Sequence, residues 1–120
     1  MTASFLSVRQ APAPRRIRST SDRARDALLA IGGGVGAVLS HEERAWASIT
    51  FSGTRHEIVL RFEGTDQIEA GELLIEQLPD HEFKIPGQLV ADACVIKVEH
   101  VFGPTETLTV TAVLLLLEES

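Results

Sequence analysis

Residues 45–63 read AWASITFSGTRHEIVLRFE, and this stretch decides the fold class. Polar and apolar side chains alternate on either side of Ser52-Gly53-Thr54, with Ile49 and Phe51 matched by Ile58, Leu60 and Phe62. A period of two lines one face of a strand with alternate residues, and a glycine between two such runs supplies a tight turn. The stretch therefore predicts an antiparallel hairpin, Ala45–Ser52 with Arg55–Glu63.

Toward the N-terminus, Val35–Leu39 is apolar but too short to separate a strand from a helical turn. Before it, Ala24, Ala27, Leu28 and Ile31 recur at i, i+3, i+4 and i+7. That is the stripe of an amphipathic helix, opened by Ser21 as cap and closed by Gly32-Gly33-Gly34. Beyond the hairpin, Ile68, Gly71, Leu74, Ile75 and Leu78 form a second helical stripe that Pro79 stops. Thr65 or Asp66 is its expected cap, and Asp66 with Glu69 has capping-box spacing.

The remaining third is strand-rich. His81–Ile85 reads as a short strand before Pro86-Gly87. In Leu89–Phe102, Val90, Cys94, Ile96, Val98 and Phe102 are expected on one face. Gly103-Pro104-Thr105 turns the chain, and Thr107–Leu117 returns with Leu108, Val110, Ala112, Leu114 and Leu116 on one side. The order α-β-β-α-β-β, with few parallel crossovers, predicts a two-layer α+β domain with a mainly antiparallel sheet and two helices. The two αββ units have the topology of a duplication, although their sequences do not repeat.

A chain of 120 residues and 13.0 kDa with mean hydropathy +0.11 is one domain's worth. Its charge is uneven. Residues 1–25 hold six arginines against Asp22, a balance of +5, while five basic residues face sixteen acids in 26–120, a balance of −11. We therefore expect a basic, weakly ordered arm at 1–20, with a short strand at Ser4–Val8 as one option, and a single acidic domain at 21–120. The arm reads foremost as a solvated tail folding back on the acidic body. Its composition also fits a nucleic-acid or membrane contact, or an organellar targeting segment. Nucleic acid is not expected as a partner, because the arm's one aromatic, Phe5, makes no stacking platform and the body repels phosphate. No apolar core of a secretory signal follows the positive charges, and the longest apolar run, Ala112–Leu117, is far below a membrane span. A single cysteine, Cys94, excludes an internal disulfide and a zinc knuckle. A cytoplasmic location is expected.

No motif identifies a family or a reaction. Gly32-Gly33-Gly34-Val35-Gly36 follows a helix rather than a strand and lacks Gly-Lys-Ser/Thr, so it reads as a helix stop, not a phosphate loop. None of His41, His56, His81 and His100 has the i, i+4 spacing of a helical metal pair. In Asp80-His81-Glu82, consecutive extended residues point apart. Cys94 lies in an apolar run and reads as core. No nucleophile elbow occurs. We expect no catalytic residue, no metal site and no cofactor.

Two surfaces are nominated instead. The end of the last strand is apolar on both faces, since Val113, Leu115 and Leu117 oppose Leu114 and Leu116. Such a strand is central in its sheet or covered by a partner. With Trp46, which sits on the less apolar face of the hairpin, these three residues are the candidate interface. His56, Arg61, Asp92 and His100 are the candidate polar groups of a pocket. Asp92 interrupts an apolar series and must escape at a strand end or find a partner such as Arg61 or the arm. The reading is a non-enzymatic assembly or protein-interaction module that forms a homodimer. The alternative is a small-molecule-binding domain or minor enzyme with a pocket between sheet and helices.

Overall fold

The alternation around Gly53 does build a hairpin, with its turn four residues earlier than expected. In the computed structural model, which describes residues 18–119, β1 (Ala37–Ala47) pairs antiparallel with β2 (Ser52–Glu63). The turn is Ser48–Phe51, closed by the Ser48 amide donating to the Phe51 carbonyl (2.7 Å) and the Phe51 amide donating to Ser48 Oγ (3.0 Å). Ile49 and Phe51, expected to face inward, lie in this turn and are exposed. Strand β1 begins at Ala37 instead of Ala45, so it takes in Ala37–Leu39 of the short apolar segment and draws His41 and Glu43 into the ladder.

Helix α1 (Thr20–Ile31) starts two residues before the first helical position that a Ser21 cap implies. Its cap is Ser19, in a capping box: Ser19 Oγ accepts from the Asp22 amide (3.0 Å) while Asp22 Oδ2 accepts from the Ser19 amide (3.2 Å). The glycine tract ends it as predicted, with the Gly34 amide donating to the Leu29 carbonyl at 2.7 Å. Helix α2 (Thr65–Gln77) corrects the expected capping. Its N-cap is Gly64, which makes no side-chain cap bond, because the sharp exit from β2 leaves Thr65 and Asp66 already helical. A turn of 3-10 helix, Leu78–Asp80, follows. The segment expected as a strand at His81–Ile85 joins no sheet, although Ile85 is buried. The arm expected at 1–20, with its strand option, lies outside the described residues up to position 17.

Strands β3 (Gln88–Val101) and β4 (Thr107–Glu118) complete a four-stranded antiparallel sheet in the order β1-β2-β4-β3. This is the order that a two-fold relation between the two αββ units produces, with β2 and β4 meeting at the centre. The architecture is therefore α+β in the order α-β-β-α-β-β. Both helices bury their stripes on one face: Ala24, Leu28 and Ile31 of α1, with Ile68 and Leu74 of α2, join Ile58, Leu60 and Phe62 of β2. Leu108, Val110, Ala112, Leu114 and Leu116 of β4 join the same cluster, as the period-two reading required. Gly71 is needed where α2 meets the sheet, because a Cβ there would lie 2.7 Å from the Phe62 ring and 2.8 Å from Leu108.

Strand β3 departs from simple alternation. Register shifts between Val90 and Asp92 and between Val95 and Lys97 insert an extra residue each time. Val90, Ala93 and Val95 thus pack on the core, whereas Cys94 and Asp92 pair across to Val113 and Leu115 on the opposite face. The first bulge is why Asp92 is exposed rather than trapped among apolar neighbours.

Candidate functional site

The face of the sheet turned away from the helices is apolar at one end and polar elsewhere. Across the strand order, Trp46, Gly53, Leu117 and Leu89 form one row in register. The next row holds Arg44, Arg55, Leu115 and Asp92. Ion pairs at i, i+2 run along the same face: part-buried Arg55–Glu57 at 3.4 Å, and exposed Arg61–Glu63 at 3.2 Å and Lys97–Glu99 at 3.4 Å. Such pairs stabilise little and mark a solvated surface.

Gly53 is specific to the apolar row. A Cβ there would come within 2.0 Å of the Leu116 carbonyl oxygen, so only glycine permits this approach of β2 to β4. Of the nominated interface, Val113 and Leu117 are buried at 4% and 6% exposure, Leu115 is half-buried and Trp46 is 36% exposed. Neither buried residue belongs to the core cluster under the helices. The exposed apolar surface at this end comes instead from Ile49, Phe51 and Leu89, with Trp46. A shallow cleft of about 480 Å³ lies among Phe51, Leu89 and Leu117. Sequence reading missed Ile49 and Phe51 because it placed the turn four residues too late.

The four nominated pocket groups are not brought together. Arg61 points to the solvated face and pairs with Glu63, while Asp92 is exposed at the β3 bulge. His100 lies near the far end of β3, where its Nε2 is 2.6 Å from Glu106 Oε2 and its ring stacks on Phe102. Of the four, His56 alone is buried, at 1% exposure.

Around His56 the structure assembles a polar cluster. Glu43 is its cross-strand partner, and His41 lies two residues along β1 on the same face. His41 Nε2 is 2.8 Å from His56 Nδ1, and Arg25 of α1 reaches His41 Nδ1 at 2.7 Å. Arg25 is also held by Asp22, and Ser21 Oγ donates to Glu43 Oε2 at 2.7 Å. A guanidinium can only donate, so His41 Nδ1 accepts, and Nε2 carries the proton that it gives to His56 Nδ1. Burial lowers the pKa of His41 below its ordinary value, with His56 and Arg25 adding to the effect against Glu43. Burial also lowers that of His56, opposed by Glu43 and reinforced by Arg25. The ligand atoms of His41, Glu43 and His56 all lie within 4.8 Å of one another. A search for helical i, i+4 spacing passes over this set because it is built across two strands. The detectable signal is His41 and Glu43 at i, i+2 with a histidine on the neighbouring strand.

A larger cleft of about 710 Å³ opens between residues 81–87 and the start of β3, with Phe83, Ile85, Lys84 and Asp92 among its walls. No helix among the described residues is long and apolar enough to cross a membrane.

No family model matches the chain, and no curated protein matches it. Among solved structures, a chain from the virion of a native gene transfer agent particle matches with a TM-score of 0.57 at 9% identity, over 82% of this chain and 92% of that one. At that identity the likeness establishes a common fold.

Proposed function

We propose that this protein is a non-enzymatic assembly module that works by contact with other copies of itself. The observation that carries the reading is the apolar row Trp46–Gly53–Leu117–Leu89, continued by the exposed Ile49 and Phe51 at one end of an otherwise polar sheet face. Clustered exposed apolar side chains with a polar rim are the ordinary signature of a protein contact. Charge favours a second copy as the partner, since an arginine-bearing N-terminal segment accompanies an acidic body. The shared fold of a chain that belongs to a virion particle supports the same class of role.

Native mass spectrometry and light scattering on the full chain test it. The expected result is an oligomer, with a homodimer as the simplest form, that Ile49→Asp or Phe51→Ser weakens at least about tenfold without loss of fold. Leu115→Lys acts in the same direction, whereas a charge at buried Leu117 is expected to unfold the domain. A wild-type monomer, or an oligomer indifferent to Ile49 and Phe51, overturns the proposal. The 710 Å³ cleft beside Phe83 and Asp92 supports a second reading, a small-molecule binder, because its size falls in the range of ligand pockets. A monomer carrying a discrete extra mass in the same spectra favours that reading.

A further inference from the structure

The Arg25–His41–His56–Glu43 cluster has no part in a contact made on the opposite face of the sheet. Two imidazoles and one carboxylate converge from adjacent strands, one ring fully buried and the carboxylate half open to solvent. Such a set is the ligand combination of zinc-type sites, in which three protein groups leave a fourth position for solvent. A cleft of about 320 Å³ reaches Glu43 and His56 past Thr54, Gln88, Glu118 and Glu119, giving the cluster an acidic approach.

We propose that His41 Nε2, His56 Nδ1 and a Glu43 carboxylate oxygen form a binding site for a divalent transition-metal ion of the zinc class. His56 already turns its Nδ1 lone pair toward the centre, because it accepts from His41. Ligand atoms around tetrahedral zinc sit about 3.4 Å apart, given bonds of about 2.1 Å. The His41–His56 pair, now at 2.8 Å, must open slightly, and Glu43 Oε1, now 4.0 Å from His56 Nδ1, must close by rotating its exposed side chain. Ser21 remains placed to hold the second carboxylate oxygen.

Arg25 is the built-in competitor. For His41 Nε2 to bind metal, its proton must leave and one must be taken up at Nδ1, so the ring stays neutral overall. Arg25 then has no acceptor at Nδ1 and must withdraw, together with its repulsive charge. The site is therefore weak with Arg25 in place and strong without it.

The test uses full-length protein stripped with chelator and titrated with Zn²⁺, with stoichiometry read by native mass spectrometry and Co²⁺ absorption as a geometry probe. Wild type is expected to take one equivalent and to rise in Tm. Arg25→Gln is expected to bind more tightly. Glu43→Gln and His41→Gln, each of which removes a ligand, are expected to lose stoichiometric binding. His81→Ala and His100→Ala are expected to bind as wild type. Glu43 is exposed, so its variant remains informative should His56 or His41 variants fail to fold. Absence of stoichiometric binding in both wild type and Arg25→Gln overturns the proposal, as does binding that is lost with His81 or His100 but not with Glu43. Neither result bears on self-association.

Discussion

A histidine at 1% exposure with an arginine one residue beyond it in the hydrogen-bond chain is a charge problem that the fold solves by keeping both rings neutral. The groups facing the pair are Arg25, Asp22 and Ser21 from α1 and Glu43 from β1, with Glu118 and Glu119 lining the cleft that reaches His56. The pKa values of His41 and His56 lie below their ordinary 6.5 in the folded state, principally through burial. Below about pH 6.5 the unfolded chain therefore binds protons that the folded chain refuses. Their contribution to stability is complete above that pH and is lost as pH falls through 6.5 toward the lowered values. In chelator-treated protein, Tm is expected to drop between pH 7.5 and pH 5 more steeply in wild type than in His41→Gln. Equal slopes would show that the pair is not held neutral. His56, nominated as a pocket group, shares the period-two series of Ile58, Leu60 and Phe62, so the side of the sheet it occupies was legible. Its partners were not, because His41 and Glu43 belong to a stretch whose strand character appears only once it pairs with β2.

At the scale of elements, local chemistry and pairing contribute unequally. Helix α1 is largely a local matter: an apolar stripe, a serine cap and a glycine stop. Its cap nonetheless moves from the expected Ser21 to Ser19, since only Ser19 places Asp22 at the reciprocal position of a capping box. Ser19→Ala is expected to cost about 1 kcal/mol, measured by urea unfolding, whereas Ser21→Ala is expected to cost less, losing only the exposed bond to Glu43. The reverse ranking would put the helix start at Ser21 after all. The inward side of strand β4 was legible, because Thr107, Thr109 and Thr111 alternate with Leu108, Val110 and Ala112. Strand β3 was not. Its two bulges reassign Cys94 and Asp92 to the opposite face, and bulges answer to the partner strand rather than to the bulged sequence.

For the whole molecule, the charge asymmetry persists once the described part is separated out. Residues 18–119 hold eight basic and seventeen acidic residues, a balance of −9, while residues 1–17 carry Arg9, Arg15 and Arg16 and no acid. Like-charged bodies repel, so self-association of this chain needs either the apolar row or the arginines to offset that repulsion. If the arginines contribute across copies, Arg15→Glu with Arg16→Glu weakens the oligomer at low salt, and raising the ionic strength removes the difference. An oligomer indifferent to both changes would leave the apolar row as the whole of the contact. The sequence by itself determined the class α+β, the order α-β-β-α-β-β and the inward side of β4, since hydrophobic periodicity and glycine or proline stops act over a few residues. The tertiary structure alone decided the position of the hairpin turn, the faces of β3, the exposure of Ile49 and Phe51, and the meeting of His41, Glu43 and His56. Those depend on register, the pairing of residues far apart in sequence, and a shift of one position carries each side chain to the other face.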